Sequence, residues 1–217
     1  RMAYFKDKVK PTPPDTVKSS GWKIIAKHIK LENIHYSMQM LPYIDNLNTY
    51  IGKAELADGN IDTHNCKIKV RSLSLDSIDA RYIYPTPEYL AQHPVKPDTI
   101  KPNPSDSIPW TIQGDSIRLT NSHAIYAMKG ASPASGLDMN YIEASRINIA
   151  INDFFNRGMV IRVPINSMEA KERCGIELIK LNGTFSMDST RMLARDFDIR
   201  TVLSKIRFDG ALANDFF

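Results

Sequence analysis

The feature that most constrains this chain is a period-two alternation of apolar and polar residues that repeatedly slips phase by one. In Lys67-Ile68-Lys69-Val70-Arg71 the apolar side chains fall on every second position with cations between them. Ile147, Ile149 and Ile151 alternate with Asn148 and Ala150, and Met159, Ile161, Val163 and Ile165 continue the same habit. Alternation of β-branched residues at this period predicts strands with one apolar face, and the polar alternates favour antiparallel sheet over a parallel sheet covered on both sides. The slips are regular. Ile29 and Leu31 are followed by Asn33, and Ile34, Tyr36 and Met38 resume on the other parity. Ile117 and Leu119 are followed by Asn121, and Ala124, Tyr126 and Met128 resume likewise. Asp76-Ser77 and Asn182-Gly183 mark further slips. Asn, Asp, Ser and Gly are turn formers, so the pattern predicts strand, tight turn, strand, repeated.

Helical signals are short. Thr86–Ala91 has room for one or two turns, and Ser167–Glu172 resembles a helix start that Cys174-Gly175 cuts off. A longer repeat is present: Trp22-x-Ile24-x4-Ile29-x-Leu31-x-Asn33 recurs with identical spacing from Trp110 to Asn121. Between the copies lie Pro85, Pro87, Pro94, Pro97, Pro102, Pro104 and Pro109, over half of the chain's 13 prolines. Proline cannot donate to a ladder, so 85–109 is expected to leave the sheet as a loop. The organisation that follows is a lead-in or linker at 1–20, a first β module at 21–84, the Pro-rich loop at 85–109, and a second β module at 110–217 that runs into a truncated edge. On this reading the chain is an internal piece of a longer protein.

Composition excludes several classes. Hydrophobic residues are 42% and charged residues 24%, enough apolar surface to fold. The net charge of +4 is too small and too dispersed for a dedicated nucleic-acid binder. No apolar run reaches the length of a membrane-spanning helix. Cys66 and Cys174 are too few for a disulfide scaffold or a structural zinc site, and are expected as free thiols, with a long-range disulfide as the alternative. His28, His35, His64, His93 and His123 show no metal spacing, so no metal and no cofactor is expected. Asp58-Gly59-Asn60-x-Asp62 is superficially like a calcium loop but lacks the closing Glu, and reads as a turn. Ser105-Asp106-Ser107 has no nucleophile-elbow context. Lys67, Lys69 and Arg71 form an exposed strand face, either merely solvated or meeting anionic head groups.

The repeated Trp-x-Ile-x4-Ile-x-Leu-x-Asn…Tyr resembles the module of TamB-like proteins of the AsmA-like superfamily, especially the large Bacteroidota members. Ser135–Ala144 resembles the glycine-led strand pair of that family. Ile165–Phe185 is similar to its Glu/Lys run, small residue and Gly before alternating strands, with Cys174 where Ser is more usual. Asp198-Ile199-Arg200-Thr201-x-x-Ser204-Lys205-Ile206 is similar to its closing Thr-x-x-Ser unit. The resemblance covers roughly residues 20–212. It implies an all-β, elongated, curled, antiparallel-rich sheet built of repeated modules, a taco-like groove with an apolar interior. It also implies a periplasmic location and an inner-membrane anchor helix outside this chain. The implied role is non-enzymatic: carrying phospholipid acyl chains between the inner and outer membranes, or aiding outer-membrane assembly. The implied partners are phospholipid, neighbouring modules of the same chain and an outer-membrane assembly protein.

The residues expected to line such a groove are Ile68, Val70, Ile117, Leu119, Ile147, Ile149, Ile151, Met159, Ile161, Val163, Phe185, Met187, Ile199, Ile206 and Phe208. Lining a groove and filling a sandwich need the same residue types. The alternative is therefore a β-sandwich interaction or adhesion module that binds protein or glycan through the 85–109 loop. A β-helical carbohydrate enzyme is a third reading, without an evident carboxylate pair.

Overall fold

The computed structural model describes residues 21–40, 45–92 and 108–213. They form nine strands and one short helix: β1 (Lys23–Met40), β2 (Asp45–Asp62), β3 (Lys67–Tyr84), α1 (Pro87–Gln92), β4 (Thr111–Met128), β5 (Tyr141–Arg157), β6 (Val160–Glu172), β7 (Glu177–Met187), β8 (Arg191–Thr201) and β9 (Lys205–Ala213). All nine strands lie side by side in chain order in one open sheet. Every neighbouring pair is antiparallel except β3 and β4, which are parallel. An antiparallel neighbour needs only a tight turn, whereas a parallel one needs a crossover of a dozen residues or more. Residues 85–110 are that crossover. Of the Pro-rich segment only its beginning with α1 and its last residues fall within the described part; 93–107, with Ser105-Asp106-Ser107, lie outside it, as does the 1–20 lead-in. The 21–84 stretch supplies β1–β3 and the stretch from 110 supplies β4–β9, joined in a single sheet through the parallel pair.

The phase slips have a different cause from the one expected. Asn33, Asp58, Ser77, Asn121, Arg146, Asp153 and Asp196 have positive φ between 49° and 56°, yet each sits inside a strand and not at a reversal. Asn33 lies between the pairs Glu32↔Lys53 and Ile34↔Ile51, and Ser77 between Asp76↔Lys53 and Ile78↔Ile51. Asn121 is on the same line across the sheet. The strands therefore run straight through, and Asp58-Gly59-Asn60 is the interior of β2 rather than a turn. Short polar side chains tolerate the left-handed region, which is why Asn, Asp and Ser dominate these positions.

At each kink, residues three apart come to share a face. A Cβ on Gly59 would stand 2.8 Å from Leu56 Cδ2, and one on Gly114 would stand 3.0 Å from Ile117 Cδ1. From β1 to β4 neighbouring strands slip on the same transverse line and their cross-strand pairs stay in register, whereas from β4 to β9 the register shifts at bulges between the aligned rows. Two further expectations are corrected. Ser167–Glu172 is not helical but lies within β6, where its side chains pair with both β5 and β7. The Thr86–Ala91 helix exists as α1, one residue displaced.

No compact core forms among the described residues. Among the described residues Ala127 and Ile147 are the only buried hydrophobic ones, and none of these residues forms a second layer over the sheet.

Candidate functional site

Cross-strand partners lie on the same face, so the pairing register maps that face directly. One row reads Leu31, Ala54, Leu75, Leu119, Ile149, Met168, Leu181, Ile199 and Ile206, one residue from each of the nine strands and all apolar. A second reads Ile24, Ile61, Ile68, Ile112, Asn156, Ile161, Met187, Met192 and Leu212, interrupted only by Asn156. A third runs from Ile29 through Leu56, Leu73, Ile117, Ile151 and Ile165 to Gly183. There the ring of Phe197 lies over the glycine and stacks on Phe208 at 5.3 Å between centroids. With strands ~4.8 Å apart, each full row is about 38 Å long. Beyond the upper kink line the face continues as Met38, Leu47, Tyr82, Tyr126 and Ile142, with Tyr126 stacked on Tyr82 and Tyr84.

This face is open. Leu31 is 51% exposed, Ile24 49%, Ile206 52% and Phe208 43%. Isolated exposed apolar residues are ordinary on any protein, but a contiguous patch spanning nine strands is not.

Of the residues singled out by sequence, Ile68, Ile161 and Met187 lie in the Asn156-containing row. Leu119, Ile149, Ile199 and Ile206 lie in the unbroken one, and Ile117 and Ile151 in the third. Val163 pairs with Phe185, between the first of these rows and the third, and Val70 lies at the same level. Ile147 is the buried residue opposite Ser122, and Phe208 pairs with Phe197. Met159 is elsewhere: it occupies the β5–β6 turn beside Gly158, because β6 begins one residue later at Val160. The structure adds Leu31, Leu56, Leu73, Leu75, Met168, Leu181 and Phe197, which were not among the residues expected to line the groove. The signal that finds them is the fixed spacing of three across each polar kink residue.

The opposite face is the more polar one and carries several ion pairs. Lys30 pairs with Glu32 at 2.7 Å and Lys53 with Glu55 at 2.8 Å, and the register sets Lys30 beside Glu55 and Glu32 beside Lys53. Asp76 accepts hydrogen bonds from the Thr120 and Ser77 hydroxyls and from Asn121 Nδ2, which hold its carboxyl below the usual range. Arg71 meets Asp58 at 2.6 Å and Lys69 lies 3.8 Å from Asp115, so two of the three strand-face cations already have acidic neighbours.

His123 of β4 bridges its neighbours. Nδ1 lies 3.1 Å from Asp79 Oδ1 on β3 and Nε2 lies 3.1 Å from Glu143 Oε1 on β5. Asp79 chiefly holds the imidazole above the ordinary histidine range; burial opposes it, and Glu143 adds to the rise. It borders a shallow open hollow of about 430 Å³ with His35, Tyr50, Asp79 and Arg81. No cluster of metal-ligating side chains occurs among the described residues. Cys66 and Cys174 are free thiols in separate turns. None of the described helices is long and apolar enough to cross a membrane. No family model, no curated protein and no solved structure matches this chain.

Proposed function

We propose that this chain is a non-enzymatic lipid-handling segment whose apolar face carries phospholipid acyl chains, the face curling into a groove built of repeated units. The observation that carries the reading is the nine-residue row from Leu31 to Ile206, apolar throughout and without a protein layer over it among the described residues. Such a face must meet something other than water. Each methylene brought out of water contributes about 0.8 kcal/mol, so a two-tailed lipid of roughly thirty methylenes gains more than about 20 kcal/mol from a lined track. No bond is made or broken in that role, and no catalytic constellation is required. The polar face with its paired charges would remain wet. The resemblance to TamB-like proteins supports a periplasmic setting, transfer between the inner and outer membranes, and an outer-membrane assembly partner.

The test is mass spectrometry of solvent extracts from the purified protein. Co-purifying phospholipid is expected from the native chain. Ile149→Glu, in the middle of the unbroken row, should lose it while circular dichroism shows undiminished strand content. A folded, lipid-free native protein would overturn the reading. Loss of folding in Ile149→Glu would indicate a sealed core, as in the sandwich alternative.

A further inference from the structure

We propose that one end of the sheet is a docking surface for an anionic bilayer, with the strand tips resting among the lipid head groups. At that end Lys23, Asp62, Lys67, Thr111, Arg157 and Val160 pair in succession across β1–β6 and form the outermost row. The tips beyond it are apolar and exposed. Trp22 and Trp110 stand one residue outside the row, and Met159 sits in the turn between Arg157 and Val160. Their backbones are held. Thr63 N donates to Trp22 O at 2.9 Å, and Trp22 N donates to Thr63 Oγ1 at 2.6 Å. Pro109 lies against Gly158, where an added Cβ would stand 3.3 Å from the Pro109 Cβ, so Trp110 is kept beside the Met159 turn.

Behind the tips the polar face is basic. The outermost row carries Lys23, Lys67 and Arg157, and the next row on that face carries Lys69 and Arg162. Asp62 is the single acid in these two rows across β1–β6, and it already accepts hydrogen bonds from the Asn65 backbone and side-chain amides. Of these cations only Lys69 forms an ion pair among the described residues, with Asp115 at 3.8 Å. The other end of the same strands has the opposite sign. Beyond the upper kink line, β1–β5 and the described parts of their connections carry Asp45, Asp79, Glu88, Asp138 and Glu143 against Arg81 and Lys129. An anionic surface therefore attracts one end of the sheet and repels the other. Sign alone fits any anionic partner, and the tips narrow the choice. Tryptophan is at home where an apolar layer meets a polar one. An acidic protein surface offers charge without a continuous apolar layer beneath it. At a rise of ~3.3 Å per residue both basic rows lie within about 10 Å of the tips, so their long stems reach lipid phosphates while the indoles rest at head-group level. Trp22 and Trp110 are three strands apart, about 14 Å, which gives the rim two anchors. The inference does not depend on the lipid-track reading, because the rim contact is the same whatever meets the apolar face.

Flotation of the purified chain with lipid vesicles tests it. Vesicles of about 30% phosphatidylglycerol in phosphatidylcholine should bind the chain about tenfold or more tighter than pure phosphatidylcholine, and binding should fall as salt rises from about 50 to about 500 mM. Lys67→Glu with Arg157→Glu should weaken binding about tenfold or more. Arg81→Glu with Lys129→Glu, the same change in net charge at the other end, should leave it within about twofold. Trp22→Ala with Trp110→Ala should reduce the binding that survives high salt. Ile149→Glu, which empties the track on the lipid-handling reading, should float like the native chain, so the two readings fail separately. Circular dichroism checks that each variant keeps its strand content. Equal flotation on both kinds of vesicle, equal losses from the two charge-reversed pairs, or a folded native chain that does not float would overturn the proposal. Loss of flotation in folded Ile149→Glu would move the contact from the rim to the apolar rows and overturn it too. Undiminished high-salt binding in the tryptophan variant would leave charge as the sole contact, as for an acidic protein partner, and reject the bilayer.

Discussion

The side chain of Asp153 shows how little chemistry a kink position needs. Its backbone has φ near 54°, inside β5, and its carboxylate is exposed. An L-residue in that region loses roughly 1–2 kcal/mol to the clash of Cβ with the following carbonyl, which glycine escapes and a β-branched residue feels most. Asp153→Gly should leave the urea midpoint nearly unchanged, whereas Asp153→Val should lower stability by about 1–2 kcal/mol. Equal effects would mean that the kink is not held where the backbone places it. His123 tests the polar face at the same scale. Its folded pKa is raised above the ordinary 6.5 by Asp79 and Glu143. The stabilising contribution is therefore complete below that ordinary value and is lost as pH rises through the raised one. Urea unfolding of the native chain at about pH 6 and about pH 9 should differ in the direction of greater stability at the lower pH. His123→Gln should reduce that difference; the carboxylates on β3 and β5 would keep an unchanged difference only if other groups cause it.

At the scale of elements, Gly183 and β9 mark opposite extremes of packing. A Cβ on Gly183 would lie 2.7 Å from Phe197 Cδ2 and 2.9 Å from its Cα, so both ring and backbone of β8 stand in the way. Gly183→Ala should cost about 1–3 kcal/mol by thermal unfolding, because β7 and β8 must part to admit the methyl. β9 is exposed at all nine positions and has one neighbour. Its amides should exchange fastest among the strands at low protein concentration, with β3 and β4 among the slowest, as hydrogen exchange by mass spectrometry would read. Strand existence was legible because period-two runs such as Ile147, Ile149 and Ile151 leave few alternatives. Strand length was not. A polar residue that breaks the phase looks the same in sequence whether the chain reverses or passes through one left-handed residue, and only the partner strand, kinked on the same line, decides between them. Ser167–Glu172 misleads for a related reason: helix formers placed between β5 and β7 take the conformation that satisfies two ladders of backbone hydrogen bonds. The parallel β3–β4 pair had only the length of the Pro-rich connection as its trace.

For the whole molecule, the apolar rows set the question of what covers them. Individual members such as Ile149 and Leu119 were legible from alternation, but their alignment into rows depends on a register between strands that no single segment encodes. Two tryptophans provide a built-in report on that face. Trp22 and Trp110 each stand two residues ahead of Ile24 and Ile112, which share a row, and both are exposed, at 77% and 41%. Their backbones are fixed at the same end of the sheet, Thr63 N donating to Trp22 O at 2.9 Å and Thr111 N donating to Cys66 O at 2.8 Å. Extending the strand alternation one residue outward, both indoles are expected on the apolar side. If acyl chains occupy that side, brominated phospholipid presented to the purified chain should quench tryptophan fluorescence and shift it to the blue, while bromide in the aqueous phase should lose access. Trp22→Phe isolates the less exposed Trp110 as reporter. Ile68→Asp with Ile112→Asp, adjacent in the row beside it, should abolish the lipid-borne quenching without changing strand content. Quenching that survives those two carboxylates would place the lipid on the other face and remove the rows from the mechanism.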